Sequence, residues 1–308
     1  MNSLKVNLGK ITLSTPFMNA SGIFSFPSVL KRIESFGFGA VVTKSIGFSP
    51  RKGFEEPIIV DVGDGSFINA VGLSNPGYEA IVEEIKSLSP FLNPLIVSVF
   101  GSLEELEEIV PAVEKVCDGI ELNLSCPNLM PGEKHGIVIG KDPDLVFKYV
   151  RKVRDLTKKH LQVKLTPNVE DITKIGMSAV EGGADAIVAI NTVFPSTKLD
   201  DEGNFILTNK FGGLSGKKVK PIGVAKIKKL SEISEVPLIG VGGIFSFEDV
   251  LEYVLAGAVA VQLGSVFAYM TTEDVKKFME SMVEKAKNFL QENGYATWEE
   301  FIDEVHQR

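Results

Sequence analysis

The chain has 308 residues, 44% of them hydrophobic, with 29 glycines and a formal net charge of -8. That is ample apolar sequence for a buried core, and the acidic balance argues against nucleic acid and anionic membranes as partners, since both require concentrated Lys and Arg. Two cysteines, Cys117 and Cys126, are too few for a disulfide framework, a four-cysteine zinc site or an iron–sulfur cluster, and no metal is expected.

Residues 5–12 read as a hairpin suited to plugging one end of the fold, and residues 1–13 carry neither an export signal nor a spanning segment, which predicts a cytoplasmic protein. From Phe17 onward, short and continuously apolar runs alternate with amphipathic segments, the pattern of parallel strands buried on both faces and separated by helices. Strands are expected over 17–19, 40–44, 95–100, 119–124, 162–165, 186–191, 238–241 and 259–264. Helix starts are marked by Ser102 with Glu105, by Asp142 before Pro143 and by Ser246 before an acidic turn, and Leu103, Leu106, Val110 and Val113 keep one helical face apolar. Eight such units predict an α/β fold, a (β/α)8 TIM barrel in one domain over 1–308, in preference to a doubly wound open sheet. Two stretches exceed the minimal barrel, 49–70 and 193–213; both leave on the strand-exit side and are expected to roof a pocket.

Chemistry should collect at that face, and polar residues do fall at the predicted strand ends: Asn19, Ser21, Lys44, Ser45, Ser98, Asn123, Lys164, Asn191 and Thr192. Asn123-Leu124-Ser125-Cys126-Pro127-Asn128 sets a thiol between two carboxamides just past a strand. Pro127 and the glycine-containing run 131–140 would let this segment leave the core as a lid. Lys44 and Lys164 each close a largely apolar strand, where a lysine needs an anion or an acceptor. Gly240-Val241-Gly242-Gly243-Ile244 and Gly264-Ser265 have the character of a barrel phosphate site. Residues 69–77 offer a polar edge and a tight turn suited to a flat, multiply polar ligand. Without a function, the same residues are a buried thiol, two snorkelling lysines and a helix cap.

Taken in order, these segments resemble the dihydroorotate dehydrogenase family over nearly the whole chain. The match runs through Phe17-Met18-Asn19-Ala20-Ser21-Gly22, Thr43-Lys44-Ser45, residues 69–77 and 123–128, Val163-Lys164-Leu165-Thr166-Pro167-Asn168, Ile190-Asn191-Thr192, Gly212-Gly213-Leu214-Ser215-Gly216, Gly242-Gly243 and Gly264-Ser265. The resemblance implies an FMN-containing (β/α)8 barrel that oxidises dihydroorotate to orotate in pyrimidine synthesis, and the chain looks most like the class 1B catalytic subunit. By the same resemblance FMN contacts Ser21, Lys44, Ser45, Ser98, Asn123, Lys164, Ile190 and Gly216, with Gly242, Gly243, Gly264 and Ser265 at its phosphate. Substrate contacts are implied at Lys44, Asn69, Ala70, Val71, Gly72, Leu73, Asn123, Asn191 and Thr192. Cys126 is then the general base that takes a proton from C5 of dihydroorotate as hydride leaves C6, and Lys164 the cation beside the flavin N1–C2=O edge. A thiol of ordinary acidity, with a pKa near ~8.5, is mostly protonated at neutral pH, so turnover should rise toward alkaline pH.

Class 1B further implies a catalytic homodimer joined to an electron-transfer subunit carrying FAD and a 2Fe–2S cluster, a heterotetramer that reduces NAD. The chain itself has no Gly-x-Gly-x-x-Gly dinucleotide fingerprint opening a βαβ unit. Two departures stand out: Ser98 occupies the place of a usual class 1B Asn, and the loop 129–140 is longer than the pattern, leaving the role of His135 open. A fumarate-using class 1A enzyme and a flavin-dependent dihydropyrimidine dehydrogenase remain alternatives. A Schiff-base aldolase using Lys164 and a non-catalytic phosphate-binding barrel are the readings from other classes.

Overall fold

The computed structural model describes residues 3–128 and 136–307. Its strands run β1 (Val6–Asn7), β2 (Thr12–Leu13), β3 (Phe17–Asn19), β4 (Val41–Val42), β5 (Ile59–Asp61), β6 (Ser66–Asn69), β7 (Leu95–Val99), β8 (Gly119–Asn123), β9 (His160–Leu165), β10 (Ala186–Ala189), β11 (Val193–Ser196), β12 (Gly212–Gly216), β13 (Leu238–Val241) and β14 (Ala260–Leu263). Eight of them pair in parallel in the order β3-β14-β13-β10-β9-β8-β7-β4. The barrel strands are buried along their length, which is why their sequences read as continuous apolar runs.

The two ends of this sheet meet and close a barrel. Met18 bridges Ala40, and the Gly39 N–H donates to Phe17 O at 2.7 Å. The Asn19 carboxamide completes the seam: Nδ2 donates to Val42 O at 2.7 Å and Oδ1 accepts from the Val42 N–H at 2.8 Å. A side chain thus takes the place of strand backbone, because β4 spans two residues and leaves main-chain groups of Val42 to be satisfied. Asn19, grouped from sequence with the polar strand-end residues, is wholly buried and serves this closure. Asn19→Ala is expected to cost about 2–4 kcal/mol, the penalty for leaving a buried donor and a buried acceptor unpaired. Chemical denaturation of the ligand-free protein reads this as a lower midpoint.

Helix starts form where the caps predict them. Glu105 N–H donates to Ser102 Oγ at 3.2 Å and Ser102 N–H to Glu105 Oε2 at 2.8 Å, a reciprocal capping box. Asp142 accepts from the N–H groups of Asp144 and Leu145, and Ser246 caps with Asp249. The helix Leu103–Glu114 buries Leu106, Ile109, Val110 and Val113, so Ile109 takes the place expected of Leu103.

Several predicted strands stop early. The expected 40–44 shortens to Val41–Val42 and 186–191 to Ala186–Ala189, so Lys44, Asn191 and Thr192 sit just past the sheet. The Lys44 N–H reaches Ser25 O at 3.4 Å instead of continuing a ladder. Part of the expected loop 131–140 is a short helix, Ile137–Gly140, whose first N–H donates to Cys126 O at 2.9 Å. His135 lies outside the described residues.

The hairpin β1–β2 buries Leu4, Val6, Leu8 and Leu13, and Lys10 pairs with Asp185, the residue before β10, at 3.2 Å. It therefore lies at the strand-entry end. At the opposite end the two insertions join. β5 and β6 from the first pair with β11 and β12 from the second in one antiparallel sheet, ordered β11-β12-β6-β5, with Gly213 facing Asn69.

Candidate active site

Between the strand-exit end of the barrel and this added sheet lies a cavity of about 330 Å³, within the range that encloses a small organic ligand. Ser21, Lys44, Ser45, Asn123, Cys126, Lys164, Ile190, Asn191 and Thr192 all line it. Asn69, Val71, Gly72 and Leu73 form part of its roof, and Gly216, Gly242, Gly243, Gly264 and Ser265 line it as well. Two of the residues implied to contact flavin or substrate do not reach it. Ala70 packs with Ile68 and Leu207 inside the added sheet, and Ser98 is fully buried behind Ser45, its Oγ 2.8 Å from Ser45 Oγ.

Cys126 lies three residues past the end of β8, so the strand sets its approach to the cavity. It is 8% exposed, packs with Leu73 and Phe100, and lines the cavity. Cys117 does not line the cavity, and burial pushes its thiol up to about 12, the condition of an inert core thiol.

The carboxamides around Cys126 are locked by hydroxyls. Asn123 Nδ2 donates to Ser45 Oγ at 2.9 Å, while its Oδ1 accepts from the Ser125 N–H at 3.1 Å and from Ser125 Oγ at 2.8 Å. Asn191 Nδ2 donates to the same Ser125 Oγ at 2.9 Å. Ser125 therefore ties together amides from β8 and from the loop after β10. In the roof, Asn128 Nδ2 donates to Asn69 O at 3.0 Å, which couples the thiol segment to the first insertion. Lys44 Nζ donates to Ser74 Oγ at 2.9 Å, and burial lowers its pKa. Lys164 is almost wholly buried, with Nζ 3.1 Å from Gln262 Oε1; burial lowers its pKa and the charge of Glu121 opposes that shift.

Two buried polar atoms at the cavity, Thr192 Oγ1 and Asn128 Oδ1, have no hydrogen-bond partner among the described residues. A polar ligand supplies what such atoms need. The glycine segment has a backbone reason of its own. Gly243 lies at φ +69° and Gly216 at φ +88°, and a Cβ would come within 2.9 Å of Gly216 O in the first case and 2.1 Å of Gly65 O in the second. Tyr253 pins the turn by donating to Gly242 O at 2.8 Å. Gly240, grouped from sequence with this phosphate run, is outside the cavity lining: a Cβ there would stand 2.4 Å from the Tyr253 ring, so its glycine serves helix packing.

Sequence reading missed Ser125 as a tie between amides and Gln262 as a cavity residue. The signal for Gln262 was a polar side chain inside the apolar run 259–264, and Glu121 and Gln162 interrupt their strands in the same way.

A family model described as dihydroorotate dehydrogenase matches residues 3–285. The catalytic subunit of dihydroorotate dehydrogenase B (NAD(+)) from Pyrococcus furiosus is 42% identical over 303 residues, 97% of this chain and 98% of the relative. The protein of that name from Methanocaldococcus jannaschii is 42% identical over 310 residues, 99% of this chain and 98% of its own. That from Thermoplasma acidophilum is 42% identical over 271 residues, 86% of this chain and 87% of its own.

Proposed function

The chain belongs to the dihydroorotate dehydrogenase family, and from that membership and the cavity we propose that it oxidises (S)-dihydroorotate to orotate in pyrimidine synthesis. It acts as the FMN-binding catalytic subunit of a class 1B, NAD-linked enzyme. The observation that carries this reading is the Cys126 thiol, set at a strand exit beside Asn123, Asn191 and Lys164 in one covered cavity.

The donor set suits FMN. The glycine turns at Gly242, Gly243, Gly264 and Ser265 would hold its phosphate through backbone N–H groups. Ser21, Ser45, Ile190, Gly216 and Lys164 would lie along the remainder, with Ser98 supporting Ser45. When bound, FMN supplies the hydride acceptor. Cys126 Sγ takes the C5 proton of dihydroorotate. As the C6 hydride departs, the electron pair of the broken C5–H bond becomes the C5=C6 bond of orotate. Lys44 faces the substrate carboxylate, while Asn69, Asn123, Asn191 and Thr192 meet the amide donors and carbonyl acceptors of the ring. Val71, Gly72 and Leu73 cover it and exclude water; Ala70 holds that cover from behind.

The names of the relatives support the rest of the assembly, since each is called the catalytic subunit of an NAD(+) enzyme. With two cysteines the chain lacks the thiolates for an iron–sulfur cluster of its own. Electrons therefore leave the catalytic homodimer through a second subunit bearing FAD and a 2Fe–2S cluster. No helix among the described residues is long and apolar enough to cross a membrane, and we place the enzyme in the cytoplasm.

Anaerobic addition of dihydroorotate to the FMN-loaded protein is expected to bleach the visible flavin band stoichiometrically. Restoration of that band by NAD should require the partner subunit. A flavin that stays oxidised with dihydroorotate, or protein that binds no flavin, overturns the proposal; bleaching reversed by fumarate alone overturns the class assignment.

A further inference from the structure

Lys164 belongs to a polar chain inside the barrel. Glu121 on β8, Gln162 on β9 and Gln262 on β14 interrupt otherwise mostly apolar strands, and all three are essentially inaccessible to solvent. Gln162 Nε2 and Gln262 Nε2 both donate to one carboxylate oxygen, Glu121 Oε2, each at 2.7 Å. Gln262 turns its Oε1 toward Lys164 Nζ at 3.1 Å, and Gln162 Oε1 meets His160 Nε2 at 3.3 Å. The Gln262 amide is oriented by its neighbours, because NH₂ must face the carboxylate and oxygen the ammonium. Glu121 Oε1 has no hydrogen-bond partner among the described residues.

The charges in this chain reduce to one pair. At the strand-entry end, burial pushes the His160 imidazole down to about 4, against the pull of Asp185, so it is neutral at physiological pH. Around Lys164, β8 contributes Glu121 and Asn123, β14 contributes Gln262, and β10 faces it with the apolar Val188. Glu121 is the one acidic group among these, and its Coulombic pull is what offsets the effect of burial on Lys164. Lys44, the other lysine of the cavity, has no such support. Buried charges persist when paired and hydrogen-bonded, and removing one member leaves the other uncompensated.

We propose that Glu121 is a positioning residue: acting through the Gln262 amide, it holds Lys164 charged and aimed into the cavity from inside the barrel. In the function proposed above, on which this part rests, the fixed cation then meets negative charge that develops during reduction, without a side chain having to reorganise.

The test begins on the flavin-free chain. Competitive acetylation across pH, followed by mass spectrometry of the lysine peptides, reports the ionisation midpoint of Lys164, with Lys44 as internal control. In Glu121→Gln the Lys164 midpoint is expected to fall by at least about one pH unit, a tenfold change in its ionisation equilibrium, while that of Lys44 stays put. The FMN-loaded variant should keep its flavin, be reduced about tenfold more slowly and lose activity at lower pH than wild type. Gln262→Met, which removes the relay and spares the carboxylate, should shift Lys164 in the same direction and serves if Glu121→Gln does not fold. An unmoved Lys164 midpoint in folded Glu121→Gln, or in Gln262→Met when only that variant folds, overturns the proposal. A shifted midpoint in protein that dihydroorotate never reduces upholds the positioning role and refutes the proposed function instead.

Discussion

Cys126→Ala is expected to slow anaerobic reduction of the bound flavin by dihydroorotate by about 10²- to 10⁴-fold, the range spanned by a positioned general base, with flavin content unchanged. The backbone at this position is held by the bond from the Ile137 N–H to Cys126 O, which does not involve sulfur. Asn123 and Asn191 are fixed through Ser125, so both amides keep their places when the thiol is removed. The loss should therefore appear in the rate constant of the reductive step, with little change in the substrate concentration at half-saturation. Cys126→Ser keeps a proton acceptor of far weaker acidity, and its residual rate should climb with pH beyond the range where wild type levels off. Wild-type reduction kinetics in Cys126→Ala would remove the thiol from the mechanism.

Lys164→Met is expected to lower the same rate about 10²- to 10³-fold, the usual effect of deleting one preorganised electrostatic group. It should also destabilise the flavin-free protein by about 3–5 kcal/mol, because Glu121 is left as a buried, uncompensated charge. The two effects can be pulled apart. Adding Glu121→Gln to Lys164→Met removes the orphaned charge, so the double variant should regain most of the lost stability and none of the lost rate. Denaturation midpoints and stopped-flow reduction on the four proteins of this cycle check both halves. Recovery of rate together with stability would mean that Lys164 acts only by holding the fold. The sign with pH follows from burial: it favours the neutral amine, Glu121 favours the ammonium, and the useful charged form is lost as pH rises.

The Ser125 bridge ties the segment carrying the thiol to two amides of the cavity. One hydroxyl accepts from Asn191 and donates to Asn123, and both amides line the cavity with Cys126. The roof is coupled to the same segment through Asn128 and Asn69. The unpartnered atoms Thr192 Oγ1 and Asn128 Oδ1 belong to residues of the same cavity, where a polar ligand would supply the missing partners.

The alternation of apolar runs with capped amphipathic helices determined the barrel from sequence alone. A strand buried on both faces must be continuously apolar, and a helix must satisfy its first N–H groups locally through residues such as Ser102, Asp142 and Ser246. The order of motifs likewise determined the family, and most of the residues it singled out do meet in one cavity. Tertiary structure decided what depends on partners distant in the chain. Asn19 was legible as a polar strand end, yet its role as the barrel's seam depends on Val42, in a strand too short to close the sheet unaided. Gly240 belonged to a glycine run by sequence, and only the Tyr253 ring packed against it assigns it to the helix interface. The insertions were visible as excess length, but their union in one sheet rests on pairing between residues 66–69 and 213–216, nearly half the chain apart. Glu121, Gln162 and Gln262 each show locally as no more than a polar break in an apolar strand. They acquire meaning once barrel closure brings β8, β9 and β14 around a common interior, where a buried charge must find its counter-charge.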